Sequence, residues 1–359
     1  MMDPIRLPAA GGPGGRQVES TNFTLHTPLS TLHSQLSTLH SQLSTFPAVP
    51  SKAKVNRSGP FSILHGMDTA RPFTRFAPSP TGYLHRGHVL SAIYVRAAAE
   101  ALGFRIRLRI EDHDQSRARK AYIDAIREDL EWLGFTWEAE SIQSENTERY
   151  ERFLELLESR DLVYACDCSR KFTFETNPVN TEGEIIYTGH CRSRELPLSA
   201  ENAVRFKTPD KTVEWKDLSL GTFRENPREH CGDFALKDRL GQWTYQFAVV
   251  ADDFEEDVGL VVRGRDLLGS TARQIVLGEA LGRTSPPLFL HHPLLCSPAG
   301  KKLSKREHAA SIRGERENGI SPEALLGEVC REAGLLSRPG SISLAESVQI
   351  AKSVLFRNI

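Results

Sequence analysis

The stretch FTRFAPSPTGYLHRGHVLSAIYVRAAAEALGFRIRLRIED, residues 73–112, decides the fold class. It opens with FTRFA, an apolar run of strand length. After a turn, apolar residues recur at helical spacing through HVLSAIYVRAAAEALG and stop at Gly103. FRIRLRIED then alternates apolar and basic residues and ends in acids, the pattern of a second strand. AYIDAIREDLEWLG, residues 121–134, adds an amphipathic helix that stops at Gly134. Strand, helix, strand, helix predicts an α/β fold with a parallel sheet and right-handed crossovers. Such sheets bind ligands beyond the carboxyl ends of their strands. PSPTGYLHRGH (78–88) and EDHD (111–114) both fall at such ends.

The first of these turns has the chemistry of a phosphate site. Pro78 and Pro80 stiffen the strand exit, and Gly82 permits the tight bend. His85 and His88 stand three apart on one face of the first helical turn, and Gly87 between them lets a flat group pack on the backbone. A helix N-terminus adds N–H donors and a positive dipole end. The competing reading is an ordinary turn with surface histidines, but the prolines and glycines favour a nucleotide turn.

The rest of the chain bounds the answer. Its 359 residues exceed one compact core. Hydrophobic residues make up 39% and charged residues 25%, with a formal net charge of -1, so any nucleic-acid surface must be a local patch. No run approaches the ~20 apolar residues of a membrane helix. Residues 1–66 hold seven charged residues and repeat LSTLHSQ at 29–35 and 36–42, which reads as a disordered low-complexity extension with Met67 as the expected true start. Towards the other end, GKKLSKREH (300–308) is a basic loop, either merely solvated or a mobile clamp whose lysines follow a phosphate. SPEALLGEVCREAGLL reads as a capped helix with Ser321 as N-cap and Pro322 at its first position, and SLAESVQIAKSVLF as another.

Six cysteines in a chain of this length do not form a disulfide framework. YACDCSRK supplies Cys166 and Cys168, and IYTGHCR supplies Tyr187, His190 and Cys191. Soft thiolates close together suit tetrahedral zinc. Cys231, Cys296 and Cys330 have no such company and read as small apolar core groups.

PSPTGYLHRGH resembles the first signature of class I aminoacyl-tRNA synthetases, and KLSKR (302–306) resembles their second, the lysine loop. RFAPSPTG…RIED and YQFAVVADDFEEDVGLVVRGRDLL resemble the glutamyl branch, over residues 71 to about 330. Within that branch the chain resembles the short glutamyl-Q members, which attach glutamate to the queuosine base of a tRNA(Asp) anticodon. The resemblance implies a ligase on a Rossmann-type catalytic domain, split into 67–161 and 241–306 around a zinc-bearing module at 162–240. A short helical region at 307–359 would follow, without an anticodon-binding domain. It implies ATP contacts at Pro78, Gly82, His85, Gly87, His88, Lys302, Ser304 and Lys305, with His85, His88 and Lys305 neutralising charge on the triphosphate and Mg²⁺ sharing that work. It implies a glutamate pocket of Arg75, Phe76, Ala77, Pro78, Ser79, Glu111, Tyr245 and Arg263, in which arginines meet the side-chain carboxylate and Glu111 meets the ammonium. It implies one structural Zn²⁺ on Cys166, Cys168, Tyr187 and Cys191. On chemistry alone His190 is the better fourth ligand, and SRKFTFETNPVNTEGEII is longer than the family's usual connection, so both remain open here. A cytoplasmic monomer acting on ATP, L-glutamate and queuosine-containing tRNA(Asp) is expected. The rival readings are a truncated glutamyl-tRNA synthetase charging the 3′ end of tRNA(Glu), and a non-catalytic tRNA-binding paralogue.

Overall fold

The computed structural model describes residues 71–295 and 311–356. The low-complexity extension, Cys296 and the lysine loop with Lys302, Ser304 and Lys305 lie outside them. β1 (Phe73–Phe76), α1 (Arg86–Leu102), β2 (Arg105–Ile110), α2 (Lys120–Trp132) and β3 (Ala139–Ile142) come first. Then follow α3 (Thr147–Ser159), β4 (Val163–Cys166), α4 (Arg170–Thr176), β5 (Ala203–Phe206), β6 (Val213–Asp217), β7 (Gly221–Glu225), α5 (Pro227–His230) and β8 (Ala235–Lys237). α6 (Tyr245–Glu255), β9 (Val258–Gly264), α7 (Thr271–Leu281) and β10 (Leu288–His292) lead to the C-terminal helices α8 (Ile312–Glu317), α9 (Pro322–Glu332) and α10 (Leu344–Leu355).

The helix ends fall where local chemistry puts them. Gly103 ends α1 in the left-handed region at φ 76, where a side chain would be strained. Ser321 caps α9 through the Ala324 N–H, with Pro322 at the first helical position.

A seven-stranded sheet runs in the order β3-β2-β1-β9-β10-β6-β7. All its pairings are parallel except β6 with β7. The fold is α/β with a mostly parallel sheet, as residues 73–134 predict. The strand order reverses between β1 and β9, so the crevice beyond their carboxyl ends is where a ligand fits. A second, antiparallel sheet joins β4, β5 and β8. The stretch 162–240 serves both sheets: β4, β5 and β8 form the small one, whereas β6 pairs with β10 at Phe289↔Asp217 and extends the large one.

Two cores flank the large sheet. On one side α1 packs with α9 and α10 through Ile93, Leu90, Leu325, Val329 and Val348. On the other, α3, α6 and α7 pack through Leu157, Phe247, Ala248 and Leu277. Each fully buried Leu, Ile or Phe contributes on the order of 1.5–3 kcal/mol, which fixes the strand ends and the side chains they carry.

Candidate active site and metal centre

The histidine turn is built by its own rings. His85 is the N-cap of α1; its Nδ1 accepts from the Gly87 N–H at 3.1 Å, while the His88 Nδ1 accepts from the His85 N–H at 3.1 Å. The two rings lie 3.9 Å apart. An accepting Nδ1 carries no proton, so a neutral ring must hold its proton on Nε2 as a donor. The capping therefore sets both neutral rings to the Nε2–H tautomer. A Cβ on Gly87 would sit 3.0 Å from the His85 ring, so the flat group packed on this glycine is His85 itself. The expected backbone donors of Gly87 and His88 are used inside the turn: His88 N–H donates to the His85 carbonyl at 2.8 Å. The chain returns to this turn after the lysine loop, with Ser311 bridged to His85 and the Ile312 N–H donating to the Leu84 carbonyl at 2.9 Å. Arg86 adds a two-bond ion pair to Glu315 at 2.8–2.9 Å.

The carboxyl ends of β1, β2 and β9 gather a buried charged group. Arg75 on β1 is 4% exposed; its Nε donates to Asp253 at 3.0 Å and its guanidinium reaches the Val262 carbonyl. Glu111 follows β2, and its N–H donates to the Pro78 carbonyl at 3.0 Å, which ties the acid to the PSPTG turn. Phe76 and Pro78 are buried there, while Ala77, Ser79 and Gly82 are half-buried in the same turn. Burial pushes the Glu111 carboxyl above the ordinary range, against the pull of Arg109 and Arg75. Tyr245, first residue of α6, has its hydroxyl raised by burial and then by Glu111.

Arg263 on β9 is also 4% exposed. It donates to His291 Nε2 at 2.9 Å, Gln274 Oε1 at 2.6 Å and Thr271 Oγ1 at 2.9 Å. Desolvation lowers its pKa, partly offset by Tyr245. The set therefore combines an arginine already paired to a carboxylate, an arginine held by uncharged groups, and an acid. Its charges complement a dipolar ligand that carries an additional anionic group.

Arg109 holds the group from beneath and was not singled out from the sequence. It is wholly buried, donating to Asp253 at 2.7 Å, Glu256 at 3.2 Å and Glu111 at 3.4 Å. The alternation of FRIRLRIED suggests a solvated basic face, but β2 is interior to the sheet and acids of α6 cover that face. Asp253 is pushed up by burial, yet Arg109 and Arg75 outweigh this and hold it below the ordinary range. The signal lay in the acids of ADDFEED within an otherwise apolar segment.

The cysteine cluster forms between β4 and the loop after α4. The Sγ atoms of Cys166, Cys168 and Cys191 lie within 4.8 Å of one another. The Tyr187 hydroxyl is 3.3 Å from Cys166 Sγ and 3.4 Å from Cys168 Sγ, and accepts from the Cys191 N–H at 3.1 Å. His190 is exposed and packs on Phe172 at 4.9 Å. Three thiols with a phenol oxygen among them make a donor set that can hold a metal ion. Cys231 and Cys330 are buried singly in the cores. Among the described residues no helix is long and apolar enough to cross a membrane.

Residues 73–355 match the family described as tRNA synthetases class I (E and Q), catalytic domain. The chain is 40% identical over 246 residues to the glutamyl-Q tRNA(Asp) synthetase of Geobacter sulfurreducens, covering 68% of this chain and 78% of that protein. It is 38% identical over 276 residues to the protein of that name from Neisseria meningitidis serogroup C, covering 76% of this chain and 91% of that one. Among solved structures, glutamate-tRNA synthetase from Elizabethkingia anophelis superposes with a TM-score of 0.64 at 30% identity, covering 79% of this chain and 66% of that chain. With the histidine turn and the buried charged group on the large sheet and the thiol cluster at the end of β4 in the small one, these matches give the family: the chain is a ligase that belongs to the class I tRNA synthetases of the E and Q group.

Proposed function

We propose that the protein activates L-glutamate with ATP and transfers it to the queuosine base of the tRNA(Asp) anticodon, acting as a monomer. A glutamate α-carboxylate oxygen attacks the α-phosphorus of ATP, and pyrophosphate leaves. A hydroxyl of the queuosine cis-diol then attacks the glutamyl carbonyl and gives up its proton to solvent, and AMP leaves with the electrons of the broken carbonyl–phosphate bond. A carboxylate of reference pKa ~4 is already ionised at neutral pH, so the first step requires no general base. The protein's task is to bind, orient and neutralise.

In this reading His85 and His88 donate Nε2–H to phosphate oxygens, with Pro78, Gly82 and Gly87 shaping the cradle. Lys302, Ser304 and Lys305 contact the triphosphate, and Lys305 stabilises the departing pyrophosphate. Mg²⁺ bound with ATP supplies further neutralisation. Arg263 and Arg75 select the side-chain carboxylate, Glu111 takes the ammonium, and Tyr245 and the backbone of 76–79 line the pocket. Residues 162–240 form the inserted module between catalytic halves 67–161 and 241–306, with 307–359 as the helical end. Cys166, Cys168, Tyr187 and Cys191 hold a structural Zn²⁺ that ties this module together.

The observation that carries the glutamate assignment is Arg263: a buried guanidinium held by three uncharged groups, beside Tyr245, whose hydroxyl also feels Glu111. Support for queuosine comes from the two relatives that bear that name. The alternative, charging of a tRNA 3′ end, is favoured by similarity to glutamate–tRNA ligase 2 of Syntrophus aciditrophicus, 37% identical over 278 residues that make up 72% of this chain and 57% of that protein. Incubation with ATP, labelled glutamate and tRNA(Asp) with or without queuosine separates them. Label that requires queuosine, and that appears on that nucleoside after digestion, is the expected result. Label on the 3′-terminal adenosine would replace it with the alternative.

A further inference from the structure

We propose that Asp217 and His291 are positioning residues for substrate recognition, holding Arg263 through an uncharged acceptor so that its positive charge is left for the substrate's side-chain carboxylate. The proposal rests on the reading of Arg263 given above. It starts from a contrast. Arg75 and Arg109 both donate directly to the Asp253 carboxylate. Arg263 is equally buried, but its hydrogen-bond partners at 2.6–2.9 Å are an imidazole, an amide and a hydroxyl. A guanidinium has five N–H donors and no acceptor. His291 Nε2 must therefore carry the lone pair, and the ring must be neutral with its proton on Nδ1.

Asp217 is what makes that tautomer the stable one. His291 Nδ1 lies 2.7 Å from Asp217 Oδ2, and the His291 backbone N–H donates to the same oxygen at 3.1 Å. The other oxygen, Oδ1, accepts from the Ser219 N–H, the Ser219 hydroxyl and the Leu220 N–H at 2.9–3.1 Å. Both side chains are entirely buried. Asp217 ends β6 and His291 lies on β10, and the two strands pair at Phe289↔Asp217. The stretch 213–217 thus joins the catalytic sheet where its last side chain reaches behind the substrate arginine. A carboxylate in the place of His291 would satisfy Arg263 outright and leave nothing for an incoming anion. A neutral ring backed by a carboxylate fixes the guanidinium plane without doing so.

Asp217→Asn tests this with little change in shape. The asparagine carbonyl can still accept from Ser219 and Leu220, but its amide can accept neither from His291 Nδ1–H nor from the His291 backbone N–H. The ring proton is driven to Nε2, where it opposes Arg263 Nε–H. In glutamate-dependent ATP–pyrophosphate exchange the KM for glutamate should rise about 10- to 100-fold, with the KM for ATP within about twofold of wild type. Imidazole ¹⁵N NMR, assigned with His291→Gln, should show the Nδ1–H tautomer in the wild type and Nε2–H in Asp217→Asn. Thermal melting reports whether the variant is folded, and the tautomer is read independently of turnover. Both KM values rising together, an unchanged glutamate KM, or a wild-type ring protonated on Nε2 would overturn the proposal. If Arg263→Ala abolishes exchange while Asp217→Asn leaves it intact, this inference alone fails. Exchange that survives Arg263→Ala removes the glutamate assignment and the inference with it.

Discussion

Replacing Arg109 with methionine should cost the fold more than any other single change in the site. The side chain has no solvent exposure and meets Asp253, Glu256 and Glu111 at 2.7, 3.2 and 3.4 Å. At an effective dielectric near 20, one such contact is worth about 4 kcal/mol of Coulomb energy, most of it consumed by desolvation. Removing the cation leaves three buried carboxylates with Arg75, Arg107 and Arg149 as their remaining partners. Breaking buried pairs from one side costs about 3–5 kcal/mol, a large part of a total stability of about 5–15 kcal/mol. The loss should depend on pH in a definite direction. Burial already raises the Glu111 pKa in the folded state, and losing Arg109 raises it further. A carboxyl raised on folding destabilises the fold at neutral pH, and that cost disappears as pH falls through the folded value. The gap between variant and wild type should narrow from pH 7 towards pH 5 in urea unfolding followed by tryptophan fluorescence. A deficit below about 1 kcal/mol, or one flat across that range, would refute the view that Arg109 is the counter-ion of the whole group.

Three further outcomes are expected. Cys168→Ala should abolish a zinc content of about one per chain in atomic emission measurements and lower the melting temperature by several degrees, because bound metal stabilises the folded state; unaltered zinc would exclude the thiol cluster. Asp129 is fully buried on α2, has neither oxygen hydrogen-bonded, and is pushed up to about 6 by burial, against the pull of Arg316 at 3.6 Å. Wild type should therefore gain about 1–3 kcal/mol as pH falls from 7.5 to 5, whereas Asp129→Asn should lack that gain; parallel profiles would rule it out. Gly87→Ala puts a Cβ 3.0 Å from the His85 ring; the displaced ring should lower kcat/KM for ATP about tenfold with under ~1 kcal/mol change in stability, and normal kinetics would show that ring position is not critical.

Local signals made the catalytic frame legible. The period of residues 73–134 gives the strands and helices within one or two residues, and the glycines and Ser321 mark helix ends, because capping depends on neighbours in the chain. The cysteine pattern located the thiol cluster, whereas the choice between Tyr187 and His190 as a neighbour of the sulphurs was a matter of side-chain direction that spacing does not encode. The contacts that orient the pocket are long-range. His291 meets Asp217 across 74 positions and Arg109 meets Asp253 across 144. No periodicity links such residues, so an arginine on an alternating strand looks solvated until the covering helix is known. For the same reason the return of β6 to the large sheet left no trace in composition.

The docking of the C-terminal helices on α1 bears on how the molecule could be divided. Ile312, Leu325, Val329 and Val348 share one core with Val89, Leu90 and Ile93, and Ser311 is laced to His85 through the backbone. A polypeptide cut between 295 and 311 would retain this apolar seam together with the Arg86–Glu315 pair. Its two pieces, produced separately, should find each other and reassemble through that seam, so their association would report on proximity.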